Sequence, residues 1–168
     1  GGSTRYAGQV VEPLLADATT AADVRLESLA LAGRLAKDQY TRARGSAVRQ
    51  RVARTSADWY GRAFELSGEY FPGINAATMT MLAGDHATGR RLAHEVLAIC
   101  TRQAPETSED YWLHATIGEA RLLIEDTRGS AAAYRRAFEL AGHRIGDLAS
   151  MRRQIRLLAR ELTVDTDI

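Results

Sequence analysis

The chain lacks most of what β-sheet and disulfide-rich folds require. Its 168 residues include only three prolines and one cysteine, and β-branched residues never alternate with polar ones over the length of a strand. Ala, Leu, Arg and Glu are abundant instead, which favours helices. We therefore predict an all-α fold of about eight helices, stacked as helical hairpins.

The single cysteine, Cys100, cannot form an internal disulfide, which is typical of a reducing compartment such as the cytoplasm. Its preceding neighbours, from Val96 to Ile99, are apolar. We therefore interpret Cys100 as a buried core residue. No run approaches the roughly 18 apolar residues of a membrane-spanning helix, so no membrane partner is expected.

Positive charge is carried almost entirely by arginine, because Lys37 is the only lysine, and the formal net charge is only +1. Such a chain has no overall field that attracts nucleic acid. Two arginine groups could still bind phosphate or an acidic surface, although a solvated face is the simpler interpretation. Nucleic-acid or phosphate binding is therefore the alternative hypothesis. The groups are Arg42, Arg44, Arg49, Arg51 and Arg54, and Arg152, Arg153, Arg156 and Arg160.

Apolar residues at helical spacing, separated by Gly and Pro, predict where the helices lie. The expected helices are 6–18, a second from a cap at Thr19 or Thr20 through Leu35, a third through Trp59 to a left-handed cap at Gly68, then 74–83, 86–102, 109–125, 129–141 and 147–162. Residues 69–73 are expected to form a turn, with Phe71 extended before Pro72. We expect a tag scar or disordered start at 1–5, one domain over 6–162, and a frayed tail at 163–168.

Two segments, 57–68 and 131–142, carry the same residue at eight matching positions, 74 residues apart. The shared alanine, Ala57 or Ala131, is expected to let a partner helix approach closely. The shared aromatic residues then fill the space between neighbouring helices; they are Tyr60, Phe64, Tyr134 and Phe138. The offset is close to two periods of the roughly 34-residue tetratricopeptide repeat, in which hairpins stack to cover each other's apolar faces.

Several short segments, in their order along the chain, point to a narrower family. They are GRLAKD from Gly33, WY from Trp59 followed by AFE, PGINAA from Pro72 followed by LAG, and YW from Tyr111. Together they resemble the TRAFs-binding region of the apoptosis signal-regulating kinases, a tetratricopeptide-type domain, and the arginine bias suggests a bacterial relative. The resemblance spans about 30–155. It implies a regulatory domain of a longer signalling protein, which binds a protein or an adjacent domain.

Polar residues on the second and fourth helices are the first candidates for partner contacts. Arg34 and Asp38, one turn apart, can pair, and with Lys37 they either brace the turn between hairpins or anchor a partner's carboxylate. Asn75 either bonds a neighbouring loop or holds a partner's backbone. Thr78 lies one turn further along the same helix.

Helix six carries the remaining candidates, Tyr111, His114 and Arg121. Trp112 shares a stripe with Thr116 and Glu119 and is expected in the core. In this hypothesis helices three, four and six present side chains to a preformed groove.

Catalytic motifs are missing from the sequence. The four histidines have no metal-ligand spacing, and no phosphate loop, dinucleotide fingerprint, nucleophile elbow or kinase motif is present. We therefore expect no metal, no cofactor and no enzymatic activity.

Overall fold

A computed structural model describes residues 2–17, 19–103 and 109–162, without the side chains of 2–8. Within these ranges the chain is all-α, as predicted, with eight helices and no strand. The helices are α1 (Gly2–Ala16), α2 (Ala22–Arg42), α3 (Ser46–Ser67), α4 (Tyr70–Leu82), α5 (His86–Gln103), α6 (Tyr111–Leu123), α7 (Thr127–Ala141) and α8 (Ile145–Glu161). The predicted tail at 163–168 lies outside the described residues. The contacts divide the chain into unit 1 (Gly1–Ala93) and unit 2 (His94–Ile168).

Helix α4 begins at Tyr70, so the predicted turn over 69–73 is wrong. Pro72 is the third residue of the helix. The first N–H groups of a helix have no intrahelical acceptor, so proline loses no hydrogen bond there. The first intrahelical bond runs from the Gly73 N–H to the Glu69 carbonyl, at 3.3 Å. Phe71 is consequently helical and not extended.

The helix ends show which capping predictions hold. Gly68 ends α3 in the left-handed conformation, with φ of 66°, as predicted. The residue before α2 is Ala21, which cannot cap with its side chain. Thr19 instead donates from its N–H and its hydroxyl to Asp17 Oδ1, so neither threonine caps α2. Asp110 and Asp126 cap α6 and α7 by accepting backbone N–H groups.

In unit 1, α1 packs on the hairpin that α2 and α3 form. The core here consists of Val11, Leu29, Ala32, Trp59 and Ala63, with Leu15, Leu26 and Leu35 partly buried against it. Arg62 of α3 lies over the Trp59 ring, 4.9 Å from its centre. Its guanidinium also pairs with Glu12 of α1 at 2.8 Å.

The α2–α3 hairpin is held close by Gly33. The Ser56 hydroxyl donates to the Gly33 carbonyl at 2.8 Å, and the Tyr60 ring covers the glycine. A Cβ at residue 33 would lie 2.8 Å from Tyr60 Cδ2, which is closer than side chains allow. The close approach of α2 and α3 therefore depends on Gly33 and Ser56. Ala57, which was predicted to allow this approach, follows Ser56 by one position and is only half-buried.

The α6–α7 hairpin of unit 2 repeats this arrangement. The Ser130 hydroxyl donates to the Gly118 carbonyl at 2.7 Å, and a Cβ at Gly118 would lie 2.8 Å from Tyr134 Cδ2. Ala131, predicted at this contact, is exposed. Both hairpins thus use the same glycine, serine and tyrosine contacts.

Helix α8 completes the core of unit 2. Buried residues here are Tyr111, Ala115, Tyr134, Ala137, Ala141 and Met151, with Phe138, Leu140, Leu148 and Ile155 against them. Polar contacts also join α8 to α6. The Tyr111 hydroxyl donates to Asp147 Oδ2 at 2.7 Å, and Gln154 Nε2 donates to Glu119 Oε1 at 2.6 Å.

Candidate partner-binding site

A polar contact in unit 1 brings together two predicted site residues that are 38 positions apart. Lys37 Nζ of α2 donates to Asn75 Oδ1 of α4 at 2.7 Å. Asn75 Nδ2 donates to the Phe71 carbonyl, one turn earlier, at 2.9 Å. Asn75 is 7% exposed and Lys37 is half-buried. The only lysine of the chain therefore lies where two helices meet.

Both helices also carry exposed residues within two turns of Lys37 or Asn75. Arg34 and Asp38 lie on α2 beside Lys37 and are exposed. Leu31, one turn before Arg34, is 50% exposed, and Phe71, one turn before Asn75, is 53% exposed. We name these residues the α2–α4 surface; they are Leu31, Arg34, Lys37, Asp38, Phe71 and Asn75. It combines two open apolar side chains with charges of both signs.

Thr78 does not belong to this surface. Its side chain is fully buried, so a partner cannot reach it in this structure. The reason is the position of α4, on which only Phe71 is exposed. Helix α4 is therefore mainly a core element of unit 1.

An open cleft of about 460 Å³ lies between α3 and the α4–α5 corner. Polar side chains at its wall come from Gln50, Arg54, Asp58, Thr80, Asp85 and Thr88. The Thr88 N–H donates to Asp85 Oδ1 at 3.1 Å, and this bond lowers the pKa of Asp85. No sequence motif indicates this cleft, because it depends on how α3 packs against the corner.

In unit 2 the burial of Tyr111 and Trp112 is the reverse of what the sequence predicted. Tyr111 is 9% exposed, its hydroxyl is bound to Asp147, and the Arg144 guanidinium lies 5.0 Å from its ring centre. Burial and the bond to Asp147 raise the pKa of Tyr111. Trp112, expected in the core, is 38% exposed, with its ring 5.1 Å from that of Tyr111.

The other α6 candidates lie in different surroundings. Arg121 Nη1 is 3.7 Å from Asp126 Oδ2, and Asp126 caps α7, so Arg121 lies at the α6–α7 corner. His114 is half-buried, while Thr116 and Glu119 are buried. Polar residues of α6 therefore mostly face the interior of unit 2.

The two arginine groups also differ. In the first group the Arg49 guanidinium lies over the Tyr40 ring, 4.5 Å from its centre. The four arginines of the second group are all exposed on α8. The first group is therefore partly structural.

The cysteine and the possible metal-ligating side chains offer no reactive site among the described residues. Cys100 is buried, and burial raises the pKa of its thiol to about 12. Among the described residues, His, Cys, Asp and Glu side chains form no cluster of three that could hold a metal ion. No described helix combines the length and hydrophobicity needed to cross a bilayer.

Fold and surface together define an all-α protein of stacked helical hairpins with an open, mixed apolar and charged face. The chain belongs to the MAP3K TRAFs-binding domain family, whose model matches residues 2–166. This confirms the resemblance found in the sequence. The chain is 29% identical over 109 residues to the mitogen-activated protein kinase kinase kinase nsy-1 of Caenorhabditis elegans. That match covers 61% of this chain and 7% of the kinase. No solved structure matches the chain.

Proposed function

We propose that this chain is a non-catalytic binding domain of a larger signalling protein, which holds a partner protein or a neighbouring domain on the α2–α4 surface. The family description names TRAFs as what such domains bind. The nematode relative is a kinase of which this chain matches a small part. The observation that carries the choice of surface is the Lys37–Asn75 contact, with Leu31 and Phe71 exposed on the same two helices.

The composition of the α2–α4 surface suits protein recognition. Binding energy in protein interfaces is concentrated in a few well-packed side chains, surrounded by a polar rim. Leu31 and Phe71 supply the apolar part, and Arg34 and Asp38 supply charges of opposite sign. Lys37 and Asn75 fix the two helices relative to each other, so the surface needs little rearrangement on binding.

We further propose that both hairpins follow the tetratricopeptide packing scheme. The repeated glycine, serine and tyrosine contacts of α2–α3 and α6–α7 support it. In this scheme Arg34, Lys37 and Asp38 contact the partner, and Asn75 holds Lys37 in place from below. Thr78, Tyr111 and Arg121 maintain the framework, because each is buried or tied to its own unit.

Charge reversal at constant net charge tests this surface. Arg34→Glu with Asp38→Arg exchanges two exposed charges four residues apart on α2. We expect recovery of partner proteins by the immobilised chain to fall at least about fivefold, because opposed charges repel the matching groups of the partner. Quantitative mass spectrometry of the captured proteins measures this recovery.

The matched control is Arg135→Glu with Glu139→Arg, an exposed pair of the same spacing on α7. It is expected to recover the same proteins as the wild type. Equal recovery of every protein by both double variants would show that the partner binds elsewhere.

A further inference from the structure

The outer face of α8 carries positive charge without any negative charge. Every exposed position on this helix is an arginine, a small residue or Ile145. The exposed arginines are Arg152, Arg153, Arg156 and Arg160, and the small residues are Gly146, Ala149 and Ala159. The two carboxylates of α8, Asp147 and Glu161, are only half-exposed. We name the four arginines the α8 arginine face.

No described carboxylate neutralises these arginines. Arg62, Arg121 and Arg136 each pair with an acidic side chain. Within residues 2–17, 19–103 and 109–162 the α8 arginine face forms no ion pair, and Arg153 donates only to Ser150 Oγ at 3.0 Å. These four side chains are exposed, so an external anion can reach them.

The opposite side of α8 is firmly held. Met151 and Leu158 are 2% and 0% exposed, and Asp147 and Gln154 bond to α6. A helix anchored in this way presents its outer side chains from a fixed backbone. Little conformational entropy of the backbone is then lost when a ligand binds.

The spacing of these arginines favours a helical ligand. Arg152, Arg156 and Arg160 succeed one another at four-residue intervals, about 6 Å apart along the helix axis. A partner helix with carboxylates four residues apart presents the same interval, and guanidinium groups bind carboxylates in bidentate geometry. Ala149 and Ala159 leave room for such a helix to approach.

We propose that the α8 arginine face docks an acidic helical segment of a protein. The proposal takes from the proposed function only that the partner is a protein, and it adds a second surface. A nucleic acid fits less well, because the three arginines span only about 12 Å and nucleic-acid binding proteins commonly neutralise about 6–10 phosphates. The net charge of +1 also provides no wider basic field.

A synthetic helical peptide with glutamates at four-residue intervals is the direct probe. Its affinity is measured by fluorescence anisotropy for the wild-type chain and for the triple variant Arg152→Gln, Arg156→Gln, Arg160→Gln. We expect the triple variant to bind at least about tenfold more weakly, because three charge-assisted contacts are lost. Glutamine keeps the length and helix propensity of the stem, and circular dichroism verifies that the fold is retained.

Three comparisons make the result specific. The control Arg42→Gln, Arg44→Gln, Arg51→Gln removes three exposed charges from unit 1 and should change affinity by less than about twofold, since these arginines do not belong to the α8 arginine face. A peptide of the same composition with irregular glutamate spacing should bind more weakly. A single-stranded oligonucleotide of the same charge should also bind more weakly.

Absence of peptide binding, or equal losses in both triple variants, would overturn the proposal. So would an oligonucleotide that binds more tightly than the peptide and loses affinity in the α8 variant. None of these outcomes affects the α2–α4 surface, which is tested separately by charge reversal at Arg34 and Asp38.

Discussion

Single residues decide how closely the helices of each hairpin approach. At Gly33 and Gly118 a tyrosine ring of the facing helix occupies the space that a side chain would take. A serine hydroxyl of that helix donates a hydrogen bond to the glycine carbonyl. The sequence repeat correctly identified Tyr60 and Tyr134. It assigned the small residue one position too late, because a gapless match between two segments does not reveal which side of a helix faces its partner.

Replacing either glycine with alanine should destabilise the protein. The added methyl group would meet the tyrosine ring, and overpacking of this kind costs about 1–3 kcal/mol. The control is Gly61→Ala, since nothing lies within 4 Å of a Cβ there. Alanine in a helix is favoured over glycine by up to about 1 kcal/mol. Urea denaturation should therefore show opposite signs for Gly33→Ala and Gly61→Ala. Two changes of the same sign would contradict the packing described here.

Cys100 makes the free energy of unfolding depend on pH in the alkaline range. Its pKa is about 12 in the folded chain, against an ordinary value of 9.0. Between these values the unfolded chain loses the thiol proton and the folded chain keeps it. The stabilisation from the buried thiol is thus fully present below pH 9. Above pH 9 the free energy of unfolding falls, by up to about 1.4 kcal/mol per pH unit.

The variant Cys100→Ala should lose this part of the pH dependence. Wild type and variant are compared by urea denaturation at steps between pH 8 and 11. The variant is expected to be less stable at pH 8, because a buried side chain is shortened. Its stability should fall less steeply above pH 9. Parallel curves would mean that the thiol is not protected by burial.

At the scale of elements, helix ends followed from the sequence where a local residue determines them. Gly68 ends α3 as predicted, because glycine adopts the left-handed conformation without strain. The start of α4 was missed, because a proline can either end a helix or occupy its first turn. The burial of Tyr111 and Trp112 was predicted the wrong way round for another reason. Adjacent helix positions point in directions about 100° apart, so a small error in phase reverses which one is buried.

Asp126 combines a cap and an ion pair at the start of α7. Its Oδ1 accepts the Gly129 N–H at 2.8 Å, whereas Arg121 is 3.7 Å from its Oδ2. The ion pair is solvent-exposed and contributes little, so the cap should dominate. Asp126→Ala is expected to lower the free energy of unfolding by about 1 kcal/mol, and Asp126→Asn by a smaller amount, since asparagine also caps. Equal losses in thermal denaturation would assign the effect to Arg121.

At the scale of the whole molecule, the family could be recognised from the sequence. The proposed binding surface could be predicted only in part. Lys37 and Asn75 were singled out separately by residue type. Their contact could not be predicted, because it depends on how α2 and α4 pack across 38 residues of chain. Thr78 was placed with them by helical spacing, yet it points into the core.

The most direct test of the account is hydroxyl-radical footprinting of the chain, alone and saturated with the partner recovered by affinity capture. Leu31 and Phe71 are about half exposed and should be oxidised in the free chain. We predict that the partner protects both, while Trp112, which is 38% exposed in unit 2, reacts as before. If Leu31 and Phe71 remain fully reactive with the partner bound, the α2–α4 surface is not the binding site.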